Sequence, residues 1–513
     1  MDYQLTVPAI LRRTEALFAG RPIVSRRPDR SLRRTTYGDC LRRARRLAFA
    51  LERLGVRPGD RVATLCWNHD RHLEAYFAVP SLGAVLHTLN LRLHPDELGY
   101  IADHAGDRVL LVDRSLLPLA EKFRTRAGFQ EVIVLGEGTP PPSGMLDYEE
   151  LIGAAGERAL ESPGLHEEDA AAMCYTSGTT GRSKGVVYSH RALVLHSLAT
   201  AMPDGFALGA SDVVLTVVPM FHANAWGLPY TAALVGAGLV FPGEHPDARS
   251  LLELCQSEGV TFSAGVPTVW IDLLDALDAT PGGYDLSRLR TIVIGGAAAP
   301  ESLIRGLGER HGVRAATSWG MTELTPVGTK QGLPGALLEL RVRNDAGEVP
   351  WDGATMGELE VRGAYVASAY YGAEEAETSF TADGWFRTGD IASIDPRGHL
   401  EIRDRGKDLI KSGGEWISSV ALEGALMSHP AVAEAAVVAV PHPRWLERPV
   451  AAVVLREGRS VTPAELRAHL AGRFPQWWLP DDVVFLPAIP RSSTGKFLKS
   501  ALRDWLRERF REP

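Results

Sequence analysis

Apolar and polar positions switch between two periods along the first part of the chain. Residues 41–54 carry apolar side chains on one face and arginines on the other, which predicts an amphipathic helix. Residues 61–67 form a short apolar run typical of a buried strand, residues 72–82 return to the helical pattern, and residues 84–89 again resemble a strand. This alternation predicts α/β layers with largely parallel sheets.

The pattern changes toward the C-terminus. Apolar runs over residues 212–219, 260–264 and 291–294 continue the alternation, and each leads to Gly or Pro. Between residues 339 and 400, short strand-like runs separated by glycines favour a small β-barrel. The C-terminal part then has an α+β pattern and ends in a charged amphipathic helix over residues 499–509. We therefore expect a large N-terminal domain, with two α/β subdomains plus the small β-barrel, joined to a small α+β C-terminal domain.

Length and charge exclude some classes of function. At ~150 residues per domain, 513 residues are too many for one compact core. Lys and Arg number 55 against 63 Asp and Glu, which gives a net charge of −8 and argues against a nucleic-acid partner. The apolar content of 45% and the charged content of 23% are typical of soluble globular proteins.

Targeting signals and cysteine spacing predict a location. The first residues have no basic segment followed by an apolar stretch, so we expect no signal peptide. No apolar run approaches the ~20 residues of a membrane helix. Cys40, Cys66, Cys174 and Cys255 lie far apart without a Cys-x-x-Cys pair, which argues against a disulfide framework or a zinc ribbon. We therefore expect a protein of the reducing cytoplasm.

The strongest local signal is a polar loop over residues 175–186, with the sequence Tyr-Thr-Ser-Gly-Thr-Thr-Gly-Arg-Ser-Lys-Gly-Val. A strand-like run precedes it, and we expect a helix over residues 187–198 after it. Hydroxyls, glycine N–H groups and the Lys184 ammonium on one turn can surround a polyphosphate. Only two residues separate Gly178 from Gly181, so the loop does not fit the P-loop pattern of nucleoside triphosphatases.

Four further motifs follow the loop in order. Residues 318–323 read Ser-Trp-Gly-Met-Thr-Glu, and residues 384–390 read Gly-Trp-Phe-Arg-Thr-Gly-Asp. Residues 403–415 contain Arg-Asp-Arg-Gly-Lys-Asp and Lys-Ser-Gly-Gly-Glu, and residues 490–496 read Pro-Arg-Ser-Ser-Thr-Gly-Lys. With the polar loop, these motifs resemble those of the adenylate-forming superfamily, which includes acyl-CoA synthetases, nonribosomal adenylation domains and luciferases. The resemblance covers essentially the whole chain.

Two other segments narrow the resemblance. Residues 219–229 and 413–418 are most similar to those of bacterial medium- and long-chain fatty acyl-CoA ligases. The resemblance implies that ATP and a carboxylic acid give acyl-AMP and pyrophosphate, and that CoA then gives acyl-CoA and AMP. It also implies Mg²⁺ as cofactor, a domain division at 1–404 and 409–513 with a hinge at 405–408, and a homodimer as in many relatives.

The resemblance assigns the nucleotide site. It implies contacts to the ATP phosphates from the polar loop, through Thr176, Ser177, Gly178, Thr179, Thr180 and Gly181. The Trp319 ring offers a flat face for adenine. The Asp390 carboxylate can accept both ribose hydroxyls, Arg405 adds a cation, and Thr322 can donate to a phosphate oxygen.

The same resemblance assigns the catalytic groups. Glu323 is a hard oxygen ligand suited to Mg²⁺. Lys184 and Lys496 would balance the negative charge that accumulates during adenylation. Attack of a carboxylate on the α-phosphate brings two anions together, so a mobile Lys496 ammonium between them would stabilise the transition state selectively.

A second group of residues is implied in domain rotation and acid binding. Lys407 occupies the hinge position, and Lys411, Gly413 and Gly414 belong to the loop implied in thioester formation. Rotation would let one site run both half-reactions. The implied acyl pocket is mostly apolar, so it would discriminate chain length by only ~1 kcal/mol per methylene; its members are His222, Trp226, Gly296, Ala297 and Gly320.

Several alternatives stay open on the sequence alone. Ser183 replaces a proline common in the phosphate loop, and the stretch 325–335 is shorter than in the fatty acyl ligases. The acid could be aromatic or cinnamate-like instead of a fatty acid. The acceptor could be a carrier-protein thiol, or nitrite could be the substrate, activated for diazotisation of an aryl amine. A catalytically silent nucleotide-binding protein is the competitor from another class, and the set Lys184, Glu323, Asp390 and Lys496 argues against it.

Overall fold

The computed structural model describes residues 3–156, 164–176, 182–372, 379–413, 415–491 and 497–509. Within these ranges the strands form sheets of seven, nine, five and five strands. The strands of the N-terminal half are β1 (Pro22–Arg26), β2 (Leu32–Thr36), β3 (Arg61–Leu65), β4 (Val85–Thr88), β5 (Asp107–Asp113), β6 (Glu131–Leu135), β7 (Leu146–Asp147), β8 (Ala170–Tyr175), β9 (Gly185–Ser189), β10 (Val213–Leu215) and β11 (Gly238–Phe241). The remaining strands are β12 (Phe262–Gly265), β13 (Thr291–Gly295), β14 (Ala315–Gly320), β15 (Val327–Lys330), β16 (Leu333–Pro334), β17 (Leu338–Asn344), β18 (Gly347–Glu348), β19 (Gly357–Gly363), β20 (Phe386–Ile394), β21 (Leu400–Arg405), β22 (Ile410–Ser412), β23 (Glu415–Ile417), β24 (Val432–His442), β25 (Leu446–Leu455) and β26 (Asp482–Phe485).

Helices connect the strands in both halves of the chain. The α-helices are α1 (Val7–Phe18), α2 (Tyr37–Arg53), α3 (Asp70–Ser81), α4 (Pro95–Ala105), α5 (Leu117–Ala120), α6 (Arg124–Ala127), α7 (Tyr148–Gly153), α8 (His190–Ala201), α9 (Ala223–Trp226), α10 (Leu228–Val235), α11 (Ala248–Ser257), α12 (Pro267–Ala279), α13 (Glu301–His311), α14 (Ser419–Met427), α15 (Pro463–Ala471) and α16 (Lys499–Arg509). None of the helices in the described ranges combines the length and the apolar character needed to traverse a bilayer.

The two large sheets have the predicted α/β character. One has the order β7-β6-β5-β3-β4-β8-β9 and is parallel except at β8–β9. The other has the order β16-β15-β14-β13-β12-β10-β11-β1-β2, with a parallel centre and antiparallel strands at both edges. Helices between the sheets share a buried core with both of them, with Leu41, Leu86, Tyr230 and Val293 among its members. The predicted α/β architecture is therefore confirmed.

Two smaller sheets complete the chain. Strands β18-β17-β19-β20-β21 form a five-stranded antiparallel sheet in the region where the sequence predicted a small β-barrel. Strands β22 to β26 form a separate mixed sheet that packs on α14, α15 and α16 with cores of its own. A small C-terminal domain thus follows the large N-terminal one, as predicted.

The expected helix over residues 187–198 begins later than the sequence indicated. Residues 185–189 form β9, which pairs antiparallel with β8, and α8 starts only at His190. The Ser189 side chain accepts a hydrogen bond from the backbone N–H of Ala192 and so caps the helix. The pairing returns the chain alongside the strand that enters the polar loop.

A buried charged network joins three helices of the N-terminal domain. Arg43 on α2 donates from Nε to Oε1 of Glu74 at 2.7 Å and from Nη2 to Oε1 of Glu149 at 2.9 Å. Tyr148 adds a hydrogen bond to the other oxygen of Glu74. Burial raises the pKa of Glu74 to about 7, and the Arg43 guanidinium opposes that rise. Arg43 is thus the cation that stabilises the buried carboxylate of Glu74.

We expect Arg43→Met to lower the free energy of unfolding by about 3 kcal/mol, because it leaves Glu74 buried without its cation. The matched control is Arg42→Met on the same helix, whose exposed pair with Asp39 should contribute under about 1 kcal/mol. Urea unfolding followed by circular dichroism measures both variants. Equal effects of the two substitutions would contradict a specific role for the buried network.

Candidate active site

The polar loop leaves β8 and returns into β9, and its two ends are held together. The Thr176 backbone N–H donates to the Lys184 carbonyl at 2.9 Å, and the Lys184 N–H donates to Thr176 Oγ1 at 3.1 Å. Antiparallel pairing of Tyr175 with Gly185 continues the closure. Lys184 is therefore fixed opposite Thr176 at the mouth of the loop.

Glu323 is linked to this mouth by Tyr370, a residue that the motifs did not identify. Tyr370 donates its hydroxyl hydrogen to Oε1 of Glu323 at 2.7 Å. The Lys184 Nζ lies 4.8 Å from the centre of the same tyrosine ring, within the range of a cation–π interaction. Glu323 itself is buried. Tyr370 thus joins the lysine of the loop to the carboxylate predicted to hold Mg²⁺.

Thr322 is fixed through its backbone. Its carbonyl accepts a hydrogen bond from the hydroxyl of Tyr188 on β9 at 2.7 Å. The Glu323 carbonyl in turn accepts from the Ala367 N–H at 2.8 Å. The short helical turn that carries both candidates is therefore attached to the strand after the polar loop and to the segment that contains Tyr370.

A second cluster surrounds Asp390 on β20. The Trp319 Nε1–H donates to Oδ2 of Asp390 at 2.8 Å, and Arg405 Nε lies 2.7 Å from Oδ1. Asp390 and Arg405 are register partners across β20 and β21. The Asp390 side chain is 2% exposed and that of Arg405 is 42% exposed. The structure thus brings together all three residues predicted for adenine and ribose.

Trp226, one of the candidate acid-binding residues, lies on a strained turn. Residues 223–226 all have positive φ, from 37° to 58°, and Gly227 continues the left-handed run at 73°. Each such L-residue costs roughly 1 kcal/mol or more. The turn places the Trp226 ring against Gly295, where an added Cβ would lie 3.0 Å from Trp226 Cη2. The Ser318 carbonyl oxygen would lie 2.9 Å from the same Cβ, so the neighbouring strand and the indole ring together explain the glycine at position 295.

The other pocket candidates have different surroundings. His222 lines a small cavity together with Thr176 and Phe221, so it lies beside the entrance of the polar loop. Gly296 follows Gly295 directly, and Ala297 is exposed. An added Cβ on Gly320 would lie 2.1 Å from the Pro326 carbonyl oxygen, which explains this glycine by backbone packing.

The buried His196 contacts the end of the strained turn. An added Cβ on Gly227 would lie 2.6 Å from His196 Nδ1, so the end of the strained turn touches the imidazole ring. Burial lowers the pKa of His196 to about 3, and the neutral ring accepts at Nε2 from the Val327 N–H at 3.2 Å. His196 thus connects the strained turn to the segment that follows Glu323.

The candidates for rotation and thioester formation lie beyond β21. Lys407 is exposed, and its carbonyl accepts a hydrogen bond from Arg503 at 3.3 Å. The Lys411 Nζ lies 4.7 Å from the ring centre of Trp416. Gly413 has a φ of 62°, a conformation that favours glycine, and donates its N–H to the Trp445 carbonyl at 2.9 Å. Lys407 follows Arg405 of the Asp390 cluster by two residues, and Lys411 and Gly413 lie further along the chain.

Some predicted site residues lie outside the described ranges. They are Ser177, Gly178, Thr179, Thr180, Gly181, Gly414 and Lys496. Among the residues that sequence reasoning missed, Tyr370 and Tyr188 had no motif around them. Their signal is three-dimensional, because Tyr188 lies on β9 and Tyr370 forms an antiparallel bridge with Val186 on the same strand.

Comparison with known proteins gives consistent matches. A family model described as AMP-binding enzyme matches residues 11–371, and one described as AMP-binding enzyme C-terminal domain matches residues 421–496. A long-chain-fatty-acid–CoA ligase of Thermus thermophilus is 54% identical, over 98% of this chain and 96% of that protein. A 3-methylmercaptopropionyl-CoA ligase of Ruegeria lacuscaerulensis is 43% identical over 98% of both chains. The crystal structure of an anthranilate CoA ligase in complex with anthranoyl-AMP is similar with a TM-score of 0.90 at 27% identity, covering 99% of each chain.

We expect Tyr370→Phe to weaken ATP binding in the presence of Mg²⁺ about tenfold, because a hydrogen bond to a charged group contributes about 1.5–3 kcal/mol. The phenylalanine keeps the ring beside Lys184 but removes the donor to Glu323. Tyr371→Phe is the matched control, since that neighbouring ring packs edge-on against His104 instead. Calorimetric titration with ATP measures both variants, and equal affinities would contradict the role of the hydroxyl.

Proposed function

The chain belongs to the AMP-binding enzyme family, and we propose that it joins a medium- or long-chain fatty acid to CoA. As a member of this family it is an AMP-forming acid–thiol ligase that uses ATP and CoA. In the first half-reaction a carboxylate oxygen attacks the α-phosphorus of ATP and pyrophosphate leaves. In the second, the CoA thiol attacks the acyl carbon and AMP leaves.

The proposal rests on one short segment, residues 319–323, because its residues contact both the nucleoside end and the phosphate end of the candidate nucleotide site. Trp319 contacts Asp390, the candidate ribose acceptor, through Nε1. Glu323 follows four residues later, and Tyr370 links it to Lys184 at the mouth of the polar loop. The adenosine and triphosphate ends of ATP are covalently joined, so they need binding groups at a fixed spacing. Residues 319–323 provide that spacing on one continuous stretch of chain.

Within this proposal the chain's residues have separate roles in adenylation. Asp390 accepts hydrogen bonds from the ribose while Trp319 offers its ring to adenine. Lys184 and the polar loop neutralise the phosphates, and Lys496 reaches the α-phosphate and the attacking carboxylate. Each contact that is stronger in the transition state than in the bound substrate accelerates the step.

The surroundings of Glu323 fit Mg²⁺. Within the described ranges, His, Cys, Asp and Glu form no group of three that could hold a metal ion. A single carboxylate is nevertheless the usual protein share of a Mg²⁺ site that is completed by phosphates and water. Glu323 provides such an oxygen, with the Thr322 side chain beside it in sequence. Bound Mg²⁺ would supply charge neutralisation to the phosphates.

The choice of acid rests on similarity and on the apolar pocket. The long-chain ligase of Thermus thermophilus is 54% identical over nearly the whole chain. Trp226 and Phe221 are buried apolar side chains at the strained turn, next to His222. These surroundings favour an alkyl chain over a second charged group. The 43% identical ligase makes a short thioether acid the second candidate.

Mass spectrometry of products formed with ATP, Mg²⁺, CoA and pooled acids tests this proposal. The pool contains even-chain fatty acids, 3-(methylthio)propionate, benzoate and cinnamate. We expect acyl-CoA products of fatty acids, with neighbouring chain lengths differing by about tenfold or less in kcat/KM, since a methylene contributes about 1 kcal/mol.

The other products identify the competing functions. Aromatic acyl-CoA products alone would overturn the fatty acid assignment. Pyrophosphate and AMP without any thioester would contradict CoA as acceptor and favour a carrier-protein thiol or nitrite. ATP binding without turnover of any acid would favour the silent nucleotide-binding protein.

We also propose that residues 1–404 and 409–513 are domains that rotate about Lys407. Lys407→Pro restricts φ at the pivot, so we expect acyl-AMP formation within about threefold of wild type and thioester formation reduced more than about tenfold. Stopped-flow measurement of each half-reaction checks the result. The matched control is Lys407→Ala, which removes the same side chain but leaves rotation at the pivot free. Arg397→Pro is less suitable, because it would disturb a nearby turn. Equal loss of both half-reactions in the proline variant would contradict the hinge.

A further inference from the structure

The residues on either side of the sequence segment that contains Lys496 are paired with each other. Arg491 and Phe497 form an antiparallel bridge on either side of it, and the Leu498 N–H donates to the Pro490 carbonyl at 2.7 Å. On one side, Arg491 pairs with Glu434 of β24 at 2.5 Å. On the other side, α16 begins at Lys499. Phe497 and Leu498, which directly follow Lys496 in the chain, are therefore held by this pairing and by the start of α16.

Lys499 holds that start through a charged cluster. Its Nζ lies 2.6 Å from Oε1 of Glu423 and donates to Ser419 Oγ at 2.7 Å. The Glu423 carboxylate also accepts from the Val437 N–H at 2.7 Å, so α16, α14 and β24 meet there. The Lys499 side chain is 12% exposed and that of Glu423 is 8% exposed. A lysine with its ammonium buried in this way is anchored, since moving it would strand Glu423.

The cluster reaches across to the last strand before the proposed pivot. Ser419 donates its hydroxyl hydrogen to Oδ2 of Asp404 at 2.7 Å, and its backbone N–H donates to the same oxygen at 2.6 Å. Asp404 lies on β21, next to Arg405, whose guanidinium pairs with Asp390. Hydrogen bonds and one peptide bond thus connect Lys499 to the candidate ribose acceptor.

One helical turn later, α16 makes a second contact with the pivot segment. Arg503 pairs with Asp408 at 2.6 Å and donates to the Lys407 carbonyl at 3.3 Å. Lys499 and Arg503 are four residues apart, so they lie on the same face of the helix. Leu502, which is buried, packs the helix onto the C-terminal sheet. The helix that follows the lysine segment is therefore fastened to residues on both sides of position 407.

We propose that Lys499 is a positioning residue for adenylation: by bridging Glu423 and, through Ser419, Asp404, it holds the residues that directly follow Lys496 in the chain and so supports the first half-reaction, in which Lys496 acts. This inference rests on the proposed function, because it requires Lys496 to act on the α-phosphate. Lys499 touches no substrate in this scheme. Its effect is confined to the step that uses Lys496.

Lys499→Met and the double variant K499M/E423Q test the proposal in the full chain. The single variant leaves Glu423 buried without its cation, whereas the double variant removes both charges and keeps the fold testable. For both variants we expect the kcat of ATP–pyrophosphate exchange to fall about 10- to 100-fold, since misplacement of a catalytic group by about 1 Å has such effects. The KM for ATP and the rate of thioester formation from synthetic acyl-AMP should stay within about twofold to threefold. Asp504→Asn, on the exposed face of α16, is the matched control.

A background lacking the catalytic lysine separates positioning from stability. In Lys496→Ala, adding K499M/E423Q should cause no further loss of exchange, because the two residues act on the same step. A further loss of tenfold or more, an equal loss in both half-reactions, or exchange within threefold of wild type in K499M/E423Q would overturn the proposal. Normal exchange in Lys496→Ala alone would instead contradict the proposed function of that lysine.

Discussion

The shared carboxylate of Asp390 is the constraint on which the described site depends. One oxygen accepts from the Trp319 indole on β14, and the other pairs with Arg405 on β21. Those strands belong to different sheets, so one buried side chain bridges the large α/β sheet and the antiparallel sheet at the candidate nucleotide site. The same β14 segment continues to Glu323. Displacing Asp390 would therefore separate the nucleoside end of the site from its phosphate end, and would also loosen β21, from which the C-terminal domain departs.

Much of the fold and part of the site could be predicted from the sequence, for physical reasons that differ by residue. Period-two and period-3.6 patterns report burial directly, so β3, α3 and α16 were found close to their observed bounds. Trp319, Asp390 and Arg405 were recognised because motifs fix their order, and the sheet pairing brings them together. The helix after the polar loop was placed too early, because an apolar run beside β8 can pair as a strand before the Ser189 cap starts α8.

Residues whose roles depend on tertiary contacts had no comparable signal in the sequence. Tyr370 contacts Glu323 from a segment where Tyr370 itself bridges Val186 on β9, far away in sequence. The sequence identified Lys499 only as the first residue of a charged amphipathic helix, whereas the structure places its ammonium between Glu423 and Ser419. The strained run at residues 223–226 also contains no glycine, so composition could not predict its left-handed backbone. A hydrophobic pattern shows which face of a helix or strand is buried, but not which residues contact that face.

The path of the chain through the nine-stranded sheet has a consequence for synthesis on the ribosome. On its interior side, strand β1, at residues 22–26, pairs with β11, at residues 238–241, which is far from it in sequence. At about 5–20 residues per second, the N-terminal hairpin must wait roughly 10–40 s for its parallel partner to be made. During that interval the inner edge of β1 is open to other β-strands. Strands β3 to β6 of the seven-stranded sheet, in contrast, pair with strands close to them in sequence, so their pairing does not have to wait for β11.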